Sequence, residues 1–116
     1  MQKLDPSRNN MAAKRYRLSK QAVKDIDDIA NYLVAKSPAA ARQVLLELKA
    51  TFKALSATPE LGSRCDDLKF GIRQFVPSRP ANKLIVFYYV RSDGVEISDV
   101  IHSARDWHSM FDSGER

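Results

Sequence analysis

Hydrophobic positions along the chain change period near residue 70, dividing it into a helical half and a strand half. Val23, Ile26, Ile29, Ala30 and Leu33 recur at three- and four-residue spacing, which places them on one face of a helix. Asp25, Asp28 and Asn31 fall largely on the opposite face. Ser19 stands just ahead as an N-cap, its hydroxyl able to accept from the exposed amides of the first turn. Ala41, Val44, Leu45, Leu48, Phe52 and Leu55 form a second stripe. It starts at Ser37-Pro38, a capping serine followed by a proline whose missing amide costs nothing there. Thr58-Pro59 and Gly62 end it. The link between the stripes is short, so the two helices are expected to pack as an antiparallel hairpin.

Beyond Cys65-Asp66-Asp67 the pattern is that of strands. Ile72 to Val76 is bounded by Pro77 and the Ser78-Arg79-Pro80 stretch. The uninterrupted run Leu84 to Val90 predicts a central strand, covered on both faces or on one face by a partner. Asp93-Gly94 supplies a tight hairpin turn, and Val95 to His102 returns as the next strand. Arg15 to Leu18 alternates as a short strand ahead of the helices, and Ser103 to Phe111 adds a short terminal helix. The order β-α-α-β-β-β describes an α+β fold, a helical hairpin packed on a small antiparallel sheet. Such a design leaves the second sheet face and an edge in need of cover, a hint that another chain binds. Residues 1–13 read as a poorly ordered extension, 14–111 as a single domain and 112–116 as a tail.

Composition narrows the function classes. The 116 residues suit one core, and no apolar run approaches the roughly 20 residues that span a bilayer. The opening MQKLDPSRNN has no hydrophobic stretch, so a secretory signal is not expected and a cytoplasmic location is. Cys65 is the single cysteine, which excludes an intramolecular disulfide or a thiolate metal cluster; it reads as a loop thiol. There is no metal-ligand spacing, Gly-rich phosphate loop or Ser-His-Asp arrangement, so no metal or cofactor is expected. Residues 1–20 hold six bases and one acid and account for the net charge of +5; the remainder holds 13 of each sign. Within that neutral body, Lys69, Arg73, Arg79, Lys83 and Arg91 form a stretch without acids. A local basic face is expected, and direct sequence-specific DNA binding by this chain alone is not.

Several segments, in order and at their spacings, carry a resemblance. They are Tyr16-Arg17-Leu18-Ser19, Asp25 to Tyr32, Ser37-Pro38-Ala39-Ala40-Ala41, and Pro59-Glu60-Leu61-Gly62. Gly71-Ile72-Arg73, Leu84 to Tyr89, Val95-Glu96-Ile97 and Val100 to Trp107 complete the series. Together the chain resembles the ParE branch of the RelE/ParE toxin superfamily from Tyr16 to Trp107. Members often carry an apolar residue and then a basic one where this chain has Ser98-Asp99. The resemblance implies the toxin of a bacterial type II toxin–antitoxin system, held inactive by a cognate ParD-like antitoxin in a hetero-oligomer. The ParE branch is associated with inhibition of DNA gyrase by binding. RelE-like relatives instead act as ribosome-dependent mRNA endonucleases, and a non-toxic antitoxin-binding relative is a third reading. Fold alone does not choose among them.

The residues favour binding over catalysis. Cleaving RNA needs a base, an acid and cations for the phosphate; His102, Arg73 and Arg105 are the best available set. The C-terminal stretch lacks a Lys/Arg/Tyr-rich cluster of the RelE kind. No catalytic residue is therefore expected, and the chain reads as a non-enzyme. For contact with a target or partner the candidates are Lys69, Arg73, Arg79, Lys83, Tyr88, Tyr89, Arg105 and Trp107. Tyr88 and Tyr89 point to opposite faces of their strand, so one is expected in the core and the other near a partner surface. Trp107 brings large area at low entropy cost, whether to a partner or to the core.

Overall fold

Capping and periodicity place the helices where the sequence predicts them. The computed structural model describes residues 15–116, so the expected extension over residues 1–13 lies outside the described residues. Strand β1 (Arg15–Leu18) leads directly into α1 (Lys20–Lys36), where the Ser19 hydroxyl accepts from the Ala22 amide. Ser37 caps α2 (Pro38–Ala57) in the same way, accepting from Ala40 at 3.2 Å, with Pro38 in the first turn. A single 3-10 turn at Pro59–Leu61 ends the hairpin. The two-residue strand β2 (Ser63–Arg64) precedes β3 (Ile72–Phe75), β4 (Leu84–Arg91) and β5 (Gly94–His102). A short helix, α3 (Trp107–Asp112), follows with Asp106 as its cap.

The α+β class stands, with one refinement: the sheet is mixed. Its order is β1-β5-β4-β3-β2, and β1 runs parallel to β5 while the other pairs are antiparallel. Alternation of polar and apolar residues sets which face a side chain takes but carries no strand direction. A bulge between Phe87 and Tyr88 leaves Ser98 as the extra residue of β5, because Phe87 pairs with Asp99 and Tyr88 with Ile97.

The central run is buried on both sides by this chain itself. On the hairpin face Leu48, Phe52 and Leu55 of α2 meet Val86, Tyr88, Ile97 and Val100. On the other face Phe87, Ile85 and Ile101 meet Cys65, Met110 and Phe111. The Phe87 ring lies 5.1 Å from that of Phe111 and 5.5 Å from that of Trp107. Helix α3 thus supplies the cover that the sequence left to a partner. Each such fully buried side chain contributes about 1.5–3 kcal/mol.

Two helix positions depart from the expected stripe. Val23 is 45% exposed, while Asp25, expected on the polar face, is 6% exposed. The inward face of α1 runs through Ala22, Asp25, Ile26, Ile29 and Leu33, a rotation of about one position. The carboxylate of Asp25 is needed inside, at the edge of β5.

Candidate functional site

Strand β5 is nine residues long, but β1 pairs with it only from Gly94 to Ile97. Past that point α1 lies beside the strand, and a groove of about 800 Å³ opens between α1, the start of α2 and the Pro80–Leu84 corner. Ile29, Leu33, Val44, Leu84 and Val100 give it an apolar floor. Tyr32 stands on its wall, 62% exposed, with the Lys36 ammonium 5.0 Å from its ring centre. Lys83, His102 and Arg105 line one side of the groove, and Lys24, Asp25 and Asp28 the α1 side.

Where β1 ends, side chains take over the β5 edge. The Ser19 amide donates to Ile97 O at 2.9 Å and its hydroxyl to Ser98 O at 2.7 Å. The Val100 amide donates to Asp25 Oδ2 at 2.9 Å, and Gln21 Nε2 to Asp25 Oδ1 at 2.9 Å. Arg116 Nη1 lies 2.9 and 2.7 Å from the two oxygens of Asp25 and 3.0 Å from Asp99 Oδ2. Burial acts to lower the pKa of this guanidinium, but its hydrogen bonds and charge contacts with the two carboxylates prevail and raise it.

The expected contact residues fall into separate places. Lys83 and Arg105 come together along the groove, joined by His102. Arg79 is exposed in the β3–β4 connection. Lys69 is exposed on the loop after β2 and donates through Nζ to Arg116 O at 2.5 Å. Tyr89 and Trp107 are half-buried on the α3 face, and the Arg91 guanidinium sits 4.8 Å from the Tyr89 ring centre. Arg73 is half-buried at the far corner, Nη1 donating to Gly62 O at 2.6 Å.

Tyr88, named with Tyr89 among the contact candidates, requires a correction. Its side chain is fully buried, and its hydroxyl donates to Pro59 O at 2.6 Å and accepts from the Gly62 amide at 2.8 Å. It is a strut between β4 and the end of the helical hairpin, with no surface for a partner. Gly62 permits this approach, since a Cβ there would lie 2.6 Å from the Tyr88 oxygen. Burial raises the Tyr88 pKa above its ordinary 10. The strut therefore contributes fully below pH 10 and is lost as pH rises through the raised value. Tyr88→Phe should cost about 1–3 kcal/mol at neutral pH by leaving two buried groups unpaired. The variant should also show a shallower fall in stability on alkaline titration, measured by urea unfolding between about pH 9 and pH 11.

Of the nuclease candidates, His102 and Arg105 share the groove, but Arg73 does not join them. Arg73 pairs across the sheet with Tyr88 and His102 with Leu84, four positions apart on β4 or roughly 13 Å. His102 Nδ1 accepts from the Ala104 amide, Glu96 is paired with Arg91, and His108 stacks on Trp107. Among the described residues no group of three or more His, Cys, Asp or Glu side chains is placed to hold a metal ion. Likewise, no helix among them is long and apolar enough to cross a membrane.

A family model described as the ParE toxin of the type II toxin–antitoxin system parDE matches residues 16–107. The chain belongs to the ParE toxin family. A solved structure of the chromosomal ParDE TA system from P. aeruginosa is similar to it, with a TM-score of 0.62 at 18% identity. That likeness covers 75% of this chain and 92% of the other, and at this identity it concerns the fold. No match is found among curated proteins. The ParE match spans β1 to the first residue of α3, so it includes the groove floor but ends before Arg116. Asp25, Asp99 and Arg116 are the site residues that sequence reasoning missed. The available signals were the position of Asp25 within the spacing Ala22, Ile26, Ile29 and Leu33, and the departure from the family pattern at Ser98-Asp99.

Proposed function

We propose that this ParE-family toxin arrests growth by binding DNA gyrase and is neutralised by a ParD-like antitoxin seated in the groove beside α1. The observation that carries the reading is the family match over residues 16–107, most of the chain. The groove supports it with an apolar floor, an exposed Tyr32 and the cations Lys83 and Arg105. Those features suit an amphipathic segment with acidic residues toward Lys83 and Arg105. Binding rather than RNA cleavage agrees with the separation of Arg73 from His102.

Induced expression should arrest growth, and purified protein should inhibit gyrase supercoiling or trap broken DNA. Transcript cleavage with unaffected supercoiling would overturn the gyrase reading in favour of the RelE-like one. Failure to arrest growth would point to a non-toxic relative. Co-expression with the neighbouring antitoxin gene should yield a complex; a toxin that purifies alone counts against the partner.

Charge reversal at the groove gives a quantitative check. Lys83→Glu with Arg105→Glu is expected to weaken antitoxin binding about tenfold or more at low salt, mainly through a slower association rate. The difference should shrink as salt is raised. Lys49→Glu, an exposed α2 position that does not line the groove, should change affinity little. Equal loss from all three substitutions, measured by surface-binding kinetics, would remove the groove from the interface.

A further inference from the structure

Two carboxylates meet at the part of β5 that β1 leaves unpaired. Asp25 reaches the edge from α1 and is 6% exposed; Asp99 turns toward the α3 face opposite Phe87 and is 2% exposed. Among the described residues their other partners are all neutral: Gln21 and the Val100 amide on Asp25, and the Ser98 hydroxyl on Asp99. Two buried negative charges need a cation, since a charge removed from water without one is strongly unfavourable. Lys24, one turn from Asp28, is engaged there at 3.0 Å and is largely exposed. The ion pairs that Asp25 and Asp99 form among the described residues both go to Arg116, whose side chain is 9% exposed.

We propose that Asp25 and Asp99 form a guanidinium-binding socket at the edge of β5, and that Arg116 is its ligand supplied in cis. A guanidinium sheds water more readily than an ammonium, which suits a buried site walled by two carboxylates from opposite sides of a sheet, where Nη1 meets oxygens of both. The ligand is delivered on a short segment. Its own backbone is fixed at the α3 end, where the Arg116 amide donates to Met110 O at 3.2 Å and Lys69 Nζ donates to Arg116 O. The segment after α3 is therefore a strap. It passes around the sheet edge and fastens the α3 face to α1 through one side chain.

The socket should accept a guanidinium in trans once the strap residue is removed. Arg116→Ala is expected to lower Tm by about 10–20 °C, because two buried carboxylates lose their counter-charge. Millimolar methylguanidinium should restore at least half of that loss in a saturable way, while tetramethylammonium chloride at equal concentration should not. Adding Asp99→Asn to Arg116→Ala should abolish the response to methylguanidinium. A loss of under about 2 °C in Arg116→Ala, or equal rescue by both salts, would overturn the proposal. If Arg116→Ala does not fold, the intact chain still decides the matter. Guanidinium nitrogen NMR of the unmodified protein should then show Arg116 protons shifted, slow to exchange and slowed in rotation. Averaged, rapidly exchanging Arg116 signals would sink the idea.

Discussion

A Gly94→Ala chain is expected to lose about 4 kcal/mol or more of folding stability, with β1 released from the sheet. Gly94 has φ +139°, a region that side chains rarely adopt, and a Cβ there would lie 1.8 Å from the Arg15 carbonyl oxygen. The residue is paired on both sides, with Arg91 of β4 and with Arg15 of β1, so neither neighbour can retreat without breaking a ladder. Backbone strain alone costs about 1–3 kcal/mol, and loss of the four-residue β1 pairing adds to it. Urea unfolding gives the size of the loss. Hydrogen exchange gives its place, with early exchange expected from Tyr16 to Leu18. A variant within about 1 kcal/mol of the parent would mean that β1 is not held at Gly94.

Phe87→Ala should cost about 3–5 kcal/mol and loosen α3 before the rest of the chain unfolds. Phe87 is fully buried, and its ring is the surface on which Trp107 and Phe111 settle. Removing it leaves a cavity under a six-residue helix that has little stability of its own. Trp107 is the single tryptophan, so its fluorescence reports on α3 directly. The variant should show a red-shifted emission maximum at low denaturant, preceding the loss of far-UV ellipticity. Coincident transitions at the parent midpoint would show that α3 packs independently of Phe87.

Local features of the fold were legible, and long-range ones were not. Ser19 and Ser37-Pro38 announce both helices because capping is chemistry between residues only three positions apart. The apolar run in β4 marks a central strand for the same reason, since burial on both faces leaves no room for polar alternation. Spacing also separates Tyr88 from Tyr89, although not which of the two is internal. That depends on the Gly62 corner, 26 positions away. Asp25 illustrates the limit best. By composition it belongs on a wet helix face; it is buried because Val100 and Arg116, 75 and 91 positions distant, need its oxygens. Within α1 the one trace of that need is the place of Asp25 among Ala22, Ile26, Ile29 and Leu33. The cations from Lys69 to Arg91 read as one stretch of sequence, yet the sheet distributes them: Lys83 lines the groove beside Arg105, which lies outside that stretch, while Arg73 is occupied at Gly62.

The way β5 ends its pairing has a consequence for the protein in isolation. An uncovered strand edge is a template on which a second molecule can add, copy after copy. Here the four residues beside β1 are closed by a strand, while the stretch beyond is guarded by Ser19, Asp25 and Arg116. Side chains that occupy the Ser98 carbonyl and the Val100 amide, and that bring charge to the edge, disfavour an incoming backbone. On this side of the sheet a ParE-family chain offers a second copy little edge to extend, and the groove beside α1 stays open.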